Sequence, residues 1–479
     1  MSTTSRRPVS ERVRRRRRWV GRTSALVVVT LIAAGTVFAA RDLAAPTAIG
    51  HPIGETVVPV PADAERVCAG SVLQLSNASG QNATTATALG TETVSAAGSD
   101  GTVHRGTIDA GPNGGSGATT ITAPAGTTTP SVAGSGIQDI EQSDLAGLAA
   151  AACTDPVSSA WLVGGSTVTG RTSIITLSNP TAVNATVDLS IYDASGPVSA
   201  PGTNGIVVAP HTQSVVPLSG FVSGASATVV HVTTTGGQIV AMMQESVIRT
   251  LTPGGVDIIQ GSAAPDTTQV IPGVVVRSAQ AAQSGSDTAD AAPIVRVYVP
   301  GAVQANLTLS IQSGGGGGTT VNATAEPGIV TDIPLSDFPD GTYSVSISAD
   351  RPVVAAARTS TATSGGRTDL GWFASAPALT ASVLTDVVNG PGATLTLVNP
   401  TRHDATVRLT SDQGSQSVLV TAGATVDTAV PLSTAMRITG AIGLRASVSY
   451  QGGSGIAGFP IVPALQASSP LTVFPQAAG

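Results

Sequence analysis

The chain has 479 residues, of which 41% are apolar and 11% charged, and all 23 of its basic residues are arginine. The missing lysine excludes a P-loop phosphate site, a Ser–Lys dyad and a Schiff-base lysine. Residues 1–41 carry ten arginines and one acid, so the remainder holds 13 arginines against 28 acids, a net charge of −15. A nucleic-acid-binding surface needs a basic stripe, and we therefore expect no nucleic-acid partner.

The N-terminus joins an arginine block to an apolar segment. Residues 1–22 are predicted to be a cytoplasmic Arg-rich tail, and residues 23–40 a transmembrane helix, because 18 uncharged residues lie within the roughly 17–25 that span a bilayer. Flanking arginines stay in the cytoplasm and Trp19 suits the headgroup region. This predicts a single-pass cell-membrane protein with its bulk outside the cytoplasm. Cleavage after Ala39, with Val37 three residues before the cut, is the alternative to an uncleaved signal anchor.

Residues 41–152 are predicted to be a linker and a partial or degenerate β region with a short helix. The stretch "LQLSNASGQNAT" at 73–84 echoes a later repeat, whereas the Gly- and Thr-rich stretch that follows is also compatible with a stalk. The helix is expected in "IQDIEQSDLAGLAAAAC", Ile137–Cys153, where Asp144 suits an N-cap and Leu145 and Leu148 share a face.

The chain has two cysteines, Cys68 and Cys153, both in the part predicted to be exported. An even number of cysteines outside the cytoplasm indicates a disulfide, and closing this 85-residue loop would stabilise the fold by about 4–5 kcal/mol. Two unpaired buried thiols are the alternative. The five histidines are scattered, so no metal site and no cofactor is predicted.

Two markers occur in the same order three times. The first marker is the stretch "SNPTAVNATVDLSI", which contains Asn179 and Pro180, and its later copies contain Pro300 and the pair Asn399 and Pro400. The second marker is Pro-Leu-Ser, which begins at Pro217, Pro334 and Pro431. A repeat of about 100–120 residues is too long for a solenoid unit and indicates a small domain that occurs three times.

Each copy contains short β-prone runs divided by Gly, Pro and Asn, which is typical of an antiparallel β-sandwich with Ig-like or fibronectin-III-like architecture. We expect a mainly β protein with sandwich repeats at 153–254, 255–366 and 367–479. A single large barrel or a propeller is the alternative fold. Trp161 and Trp372, near the starts of the first and third repeats, are predicted to be buried anchors.

The Asn-Pro-Thr stretches end one strand and precede the next. Proline cannot donate to a strand ladder, and Asn-Pro favours a turn. We interpret the motif as a strand–turn–strand corner, and a binding loop is the alternative.

The stretch "LAGLAAAACTDPVSSAWLVGGSTVTGRTSIITLSNPT", Leu145–Thr181, resembles an uncharacterised family of large secreted or membrane-anchored actinobacterial proteins, a DUF5719-like domain of unknown function. The resemblance implies an actinobacterial cell envelope. It implies no activity, cofactor or catalytic residue.

No pattern of residues predicts a catalytic, cofactor or metal site. The run Gly314–Gly318 favours a flexible hairpin loop over a phosphate cradle, and the pairs Asp287 with Asp290 and Asp337 with Asp340 are too sparse for a dedicated calcium site.

We therefore expect a non-enzymatic, single-pass cell-envelope protein that acts as a scaffold or as an adhesion or assembly module. The alternative is an accessory or binding subunit for cell-wall polysaccharide synthesis or export, so the partners are the membrane and an envelope protein or a polysaccharide. An unrecognised hydrolase is a third hypothesis. A surface cluster of aromatic residues would favour the polysaccharide-related alternative.

Overall fold

The computed structural model describes residues 29–32, 55–57, 62–75, 85–111, 114–115, 117–126, 130–284, 288–335, 338–363, 366–453, 455–465 and 471–473. These residues are mainly β, which confirms the predicted fold class at that level. The chain divides into two compact units, Met1–Pro59 with Ser468–Gly479, and Val60–Ala467. In the first unit, β1 (Glu55–Val57) pairs antiparallel with the last strand, Leu471–Val473.

Most of the predicted membrane segment, and the whole of the Arg-rich tail, lie outside the described residues. Within it, residues 29–32 are helical and exposed. Among the described residues, no helix combines the length and the apolar character needed to span a bilayer.

The second unit begins with nine strands that we call the N-terminal region. They are β2 (Ala64–Val67), β3 (Leu73–Leu75), β4 (Ala86–Ala88), β5 (Thr93–Gly98), β6 (His104–Thr107), β7 (Asp109–Ala110), β8 (Thr119–Ala123), β9 (Val132–Glu141) and β10 (Ala146–Ala152). The sheet orders are β10-β9-β5, β2-β8-β6 and β3-β4. This region is therefore folded, and the alternative of a stalk does not apply to its described residues.

The predicted helix at 137–153 is wrong, because these residues form the antiparallel hairpin of β9 and β10. All seven residues of β10 are buried. Leu148 and Ala150 enter one apolar core, while Ala149 and Ala151 enter another on the opposite face. Alanine is the best helix former, but β10 is covered on both faces, mostly at small side chains, and this packing outweighs the local preference.

The next strands form the first sheet pair. They are β11 (Ser159–Val163), β12 (Arg171–Asn179), β13 (Ala185–Asp193), β14 (Gly196–Val198), β15 (Ile206–Val208), β16 (Thr212–Pro217), β17 (Thr228–Gly236), β18 (Val240–Arg249) and β19 (Thr252–Ile259). One sheet has the order β11-β17-β13-β14, with β15 also on β13, and the other has the order β19-β18-β12-β16-β7. Both sheets contribute to one apolar core.

The second sheet pair contains β20 (Asp266–Val276), the short helix α1 (Ala279–Ala282), β21 (Ile294–Tyr298), β22 (Ala305–Ser313), β23 (Gly317–Ala325), β24 (Thr331–Pro334), β25 (Gly341–Ala362) and β26 (Thr368–Ala374). The long strand β25 belongs to both sheets. Its first half pairs with β20 and β22, and its second half pairs with β21 and β26.

The third sheet pair contains β27 (Ser382–Asp386), β28 (Thr394–Val398), β29 (Ala405–Ser411), β30 (Gly414–Val420), β31 (Thr425–Ala429), β32 (Ala435–Thr439), β33 (Arg445–Gln451) and β34 (Ile456–Pro460). Its sheet orders are β27-β32-β29-β30 and β31-β28-β33-β34. The strand Leu471–Val473 of the first unit is β35, the last strand among the described residues.

Strand pairing moves two of the predicted repeat limits. The limit between residues 254 and 255 cuts through β19, which pairs with β18 of the first sheet pair. The limit between residues 366 and 367 separates β26 from its partner β25. Trp372 on β26 therefore belongs to the second sheet pair rather than to the third, since strand partners and not local sequence similarity fix the limits.

Candidate functional site

The Asn-Pro-Thr motifs build corners from inside the fold. The Asn179 side chain is fully buried, and its Nδ2 donates to the carbonyls of Val183 at 2.8 Å and Val208 at 3.0 Å. Its Oδ1 accepts from both the N–H and the hydroxyl of Thr181. These bonds satisfy the amide completely, so the motif holds a turn and presents no free group to a ligand.

The third sheet pair repeats this geometry. Asn399 is also fully buried, and its Nδ2 donates to the carbonyls of His403 at 2.8 Å and Val420 at 2.9 Å. Thr401 donates to Asn399 Oδ1 from its N–H at 3.0 Å and from its hydroxyl at 2.7 Å, the same distances as in the first copy. In the second copy, Val299 precedes Pro300 and is buried, so an apolar contact takes the place of the amide.

The second markers lie on the strands that pair with these corner strands. Pro217 ends β16, which pairs with β12, and Pro334 ends β24, which pairs with β21. Pro431 follows β31, which pairs with β28. Both markers are therefore local features of the same pair of neighbouring strands in each sheet pair.

The predicted disulfide between Cys68 and Cys153 is present, which confirms the pairing. Both sulfur-bearing residues are buried in a small core with Ile121, Ala123 and Val132. Cys153 directly follows β10, so the disulfide attaches this strand to the start of the N-terminal region.

A fully buried carboxylate, Asp369 on β26, joins four separate parts of the fold. It accepts the N–H of Leu148 on β10 at 3.2 Å, of Val256 on β19 at 3.2 Å and of Ile456 on β34 at 3.1 Å. The N–H of Leu370 also binds it. Each of the strands β10, β19 and β34 is the edge of its own sheet. We call this arrangement the Asp369 junction.

Glycines make the close approach to Asp369 possible. Gly147 and Gly455 each precede a residue that donates to the carboxylate, and a methyl group at either position would overlap an Asp369 oxygen. Gly255 precedes Val256 in the same way, and a methyl group there would lie 2.9 Å from Asp369 Cα. The common pattern, a glycine followed by a β-prone apolar residue, is visible in the sequence, but nothing local connects it to a distant aspartate.

A second buried carboxylate lies beside the first. Asp257 on β19 accepts the N–H of Trp372 at 2.7 Å and of Ile258 at 2.8 Å. Burial raises the pKa of Asp369 to about 8, against the lowering effect of its N–H donors. Burial also raises the pKa of Asp257 well above its ordinary value. Because backbone N–H groups occupy both carboxylates, neither is positioned to act on a substrate.

Seven charged residues lie between the first and second sheet pairs, and we call them the charged layer: Arg171, Glu245, Arg249, Asp290, Arg296, Asp332 and Arg358. The four arginines and Glu245 are buried. The side chains of Asp290 and Asp332 are 23% and 31% exposed and lie at the solvent side of the layer. Trp372 is at its centre, with its Nε1 donating to Glu245 at 2.6 Å. The guanidinium carbons of Arg296 and Arg358 lie 5.0 Å and 5.7 Å from the Trp372 ring centre. Trp372 is thus a buried anchor, and its surroundings are ionic as well as apolar.

Two of the carboxylates in the charged layer hold arginines. Arg296 donates to both oxygens of Asp332, at 2.7 Å and 2.9 Å. Arg171 donates to both oxygens of Asp290 at 2.9 Å, and Arg249 binds the same carboxylate. Burial raises the pKa of Asp290, but the hydrogen bonds and charges of these arginines outweigh it and lower the pKa to about 2.

An aromatic cluster lies where the first sheet pair meets β21. The Trp161 and His231 rings stack at 4.0 Å with 5° between their planes. Tyr298 lies 5.6 Å from Trp161 and 4.4 Å from Tyr192. His231 and Tyr192 are half-buried, and exposed Ser159 is 2.9 Å from His231 Nε2. The sequence does not predict this cluster, because its members come from four strands.

The Gly314–Gly318 run lies at the β22–β23 hairpin, as expected: residues 314–316 form the turn, and Gly317 and Gly318 begin β23. A cleft of about 670 Å³ lies along it, lined by the apolar residues Ile311, Val321, Phe338 and Tyr343 among others. Asp340 accepts the N–H of Ser278, while Asp287 and Asp337 lie outside the described residues. Among the residues that the structure describes, no group of three His, Cys, Asp or Glu side chains is arranged to hold a metal ion.

A family model, "Family of unknown function (DUF5719)", matches residues 108–431, more than half of the chain. The chain belongs to this family. Membership confirms the resemblance to a domain of unknown function and brings no activity to this DUF5719 protein. The match extends from the N-terminal region into the third sheet pair, so it covers Asp369 and the charged layer.

Two solved structures are weakly similar to this DUF5719 protein. The FN1–FN3 domains of chicken CNTN1 are 11% identical, covering 65% of this chain and 99% of that one. A tetra-tandem repeat from the extending region of a large adhesion protein is 14% identical, covering 79% and 92% respectively. Both have a TM-score of 0.12 and carry no argument about fold or function. No curated protein matches the chain.

Proposed function

We propose that this protein is a non-enzymatic, single-pass cell-envelope protein whose extracytoplasmic part is a scaffold or an adhesion and assembly module. In this proposal the three sheet pairs are tandem Ig-like or fibronectin-III-like sandwiches. The observation behind this proposal is the Asp369 junction. One carboxylate on β26 of the second sheet pair accepts N–H groups from the N-terminal region and from the first and third sheet pairs. Domains joined only by linkers move relative to one another, whereas a shared buried junction favours a body of fixed geometry.

The sequence composition and the disulfide support an extracytoplasmic location for most of the chain. The arginines of residues 1–22 and the uncharged segment 23–40 favour an N-in, C-out helix, and the family resemblance extends this to an actinobacterial envelope. The disulfide between Cys68 and Cys153 supports an oxidising compartment. The non-enzymatic character is supported by Asp257 and Asp369, the most deeply buried carboxylates among the described residues, whose oxygens bind backbone N–H groups.

Two experiments test this proposal: epitope accessibility tests the membrane orientation, and crosslinking tests the scaffold role. In intact, wall-stripped cells, a C-terminal epitope tag should bind antibody, whereas an N-terminal tag should need permeabilised cells. The reverse pattern would contradict the location. In-cell crosslinking of the full-length chain should recover structural envelope components. Recovery of one enzyme in a constant ratio would contradict a passive scaffold.

The aromatic cluster favours a second candidate, an accessory or binding subunit for cell-wall polysaccharide synthesis or export. Aromatic rings bind the apolar faces of sugars, and His231 and Tyr192 are half-buried beside exposed Ser159. A His231→Ala, Tyr192→Ala double variant should lose retention on immobilised cell-wall polysaccharide. His403→Ala, at an exposed histidine in a corner loop, is the matched control. Equal retention of the two variants would remove this candidate.

A further inference from the structure

Among the described residues, the other three arginines of the charged layer each form an ion pair with an aspartate, and Arg358 does not. It is 6% exposed, yet its Nε has no hydrogen-bond partner among the described residues. None of the ion pairs found in the described part of the chain includes it. Ser360, two residues along on the same face of β25, is 1% exposed, and its hydroxyl also lacks a partner there.

The nearby carboxylates are already occupied. The charges that act on Arg358 are those of Glu245, Asp290, Asp332 and Arg296. Asp290 and Asp332 bind other arginines through both oxygens, and Glu245 accepts the Trp372 indole N–H. Arg358 therefore forms no ion pair with a carboxylate of the described residues.

The charges do not balance. The charged layer holds four guanidinium groups against three carboxylates, a net charge of +1 when all of them are ionised. A buried charge without a counter-charge is costly. A guanidinium has five N–H donors and no acceptor, so the group that would complete this site must accept hydrogen bonds and carry one negative charge.

We propose that Arg358 binds a small monovalent inorganic anion of the halide class between the first and second sheet pairs, with the Ser360 hydroxyl as a second donor. A single negative charge neutralises the layer, whereas a divalent phosphate or sulfate would leave an excess. The side chain of Asp290, 23% exposed, lies at the solvent side of the layer. The site is independent of the proposed function and makes the stability of the fold depend on halide concentration.

Trp372 provides a direct measurement, because bromide quenches a neighbouring indole. In the full-length chain with Trp19→Phe and Trp161→Phe, Trp372 is the sole tryptophan. Bromide titrated against gluconate at constant ionic strength should quench its emission saturably, and chloride should reverse the quenching. Chloride should also raise Tm saturably, by about 2–4 °C. Quenching that stays linear, or that chloride does not reverse, would overturn the proposal.

Variants and a second anion series sharpen the test. Arg358→Met should abolish both the saturable quenching and the chloride-dependent rise in Tm, and Arg408→Met, at an exposed arginine on β29, should leave both intact. If Arg358→Met does not fold, the bromide and chloride competition in the Arg358 chain decides alone. Acetate that displaces bromide where chloride does not would identify an organic carboxylate site and overturn the halide assignment. Identical Tm in chloride and gluconate would show that water suffices, and would also overturn it.

Discussion

Replacing Gly455 with alanine should break the Asp369 junction. Gly455 directly precedes Ile456, whose N–H donates to Asp369. An added Cβ would overlap Asp369 Oδ2 and lie 2.7 Å from Asp369 Cγ. Neither side can move freely, because the carboxylate also binds Leu148 and Val256 on two other strands.

The cost follows from the hydrogen bonds that must be given up. If Asp369 shifts, the buried N–H groups of Leu148, Val256 and Ile456 lose their acceptor. Each buried donor left without a partner costs about 1–3 kcal/mol, so Gly455→Ala should lower the free energy of unfolding by about 3–9 kcal/mol. This is a large share of the 5–15 kcal/mol typical of a folded protein.

Urea denaturation of the full-length chain, followed by tryptophan fluorescence, measures this loss. Gly301→Ala is the matched control, because a Cβ at Gly301 meets no atom within 4 Å, and it should change stability by less than about 0.5 kcal/mol. If Gly455→Ala unfolds at the same urea concentration as Gly301→Ala, the junction does not hold the sheet pairs together.

Three further predictions concern pH, a corner and the disulfide. Glu92 directly precedes β5 and accepts the N–H of Gly70 at 3.1 Å. Burial raises the pKa of Asp369 and of Glu92 to about 8, so their contribution to stability is complete below about pH 4 and is lost as the pH rises through about 8. Asp369→Asn with Glu92→Gln should flatten the fall in Tm over this range, and an unchanged slope would refute the reasoning. Asn179→Ala removes the acceptor of the Thr181 N–H and the side-chain donor to the Val208 carbonyl, and should lower the free energy of unfolding by about 2–4 kcal/mol in urea. A loss below about 1 kcal/mol would argue against the corner. Joint replacement of Cys68 and Cys153 by alanine should cost about 4–5 kcal/mol, and an unchanged Tm would contradict it.

Local signals in the sequence were sufficient to predict the strand–turn–strand corners. Within three residues, Asn-Pro-Thr combines a turn former, a proline that ends a strand ladder and a threonine hydroxyl that donates to the asparagine side chain. The structure gives Asn179 and Asn399 the same hydrogen bonds, which explains why the stretch recurs so closely. The second copy lacks the asparagine, and Pro300 belongs with the others because the stretch "VPGAVQANLTLSI" aligns with "NPTAVNATVDLSI".

The helix prediction failed where local preference and tertiary packing disagree. The alanine run of β10 reads as helix because alanine has the highest helix propensity. Its position between two apolar cores instead selects for side chains that are small on both faces. A single sequence contains no sign of those two neighbouring layers.

The sequence alone determined the mainly β class, the repeated corners and the pairing of the two cysteines, because these depend on neighbouring residues or on counting. Tertiary structure decided that Asp369 binds strands β10, β19 and β34, that Trp372 belongs to the second sheet pair and that Arg358 is buried without an ion pair among the described residues. Each of these depends on residues more than 80 positions apart in the chain or on the topology of a whole sheet. Such residues come together because many distant strands bury their apolar side chains against one another. A short stretch of sequence does not contain information about that packing.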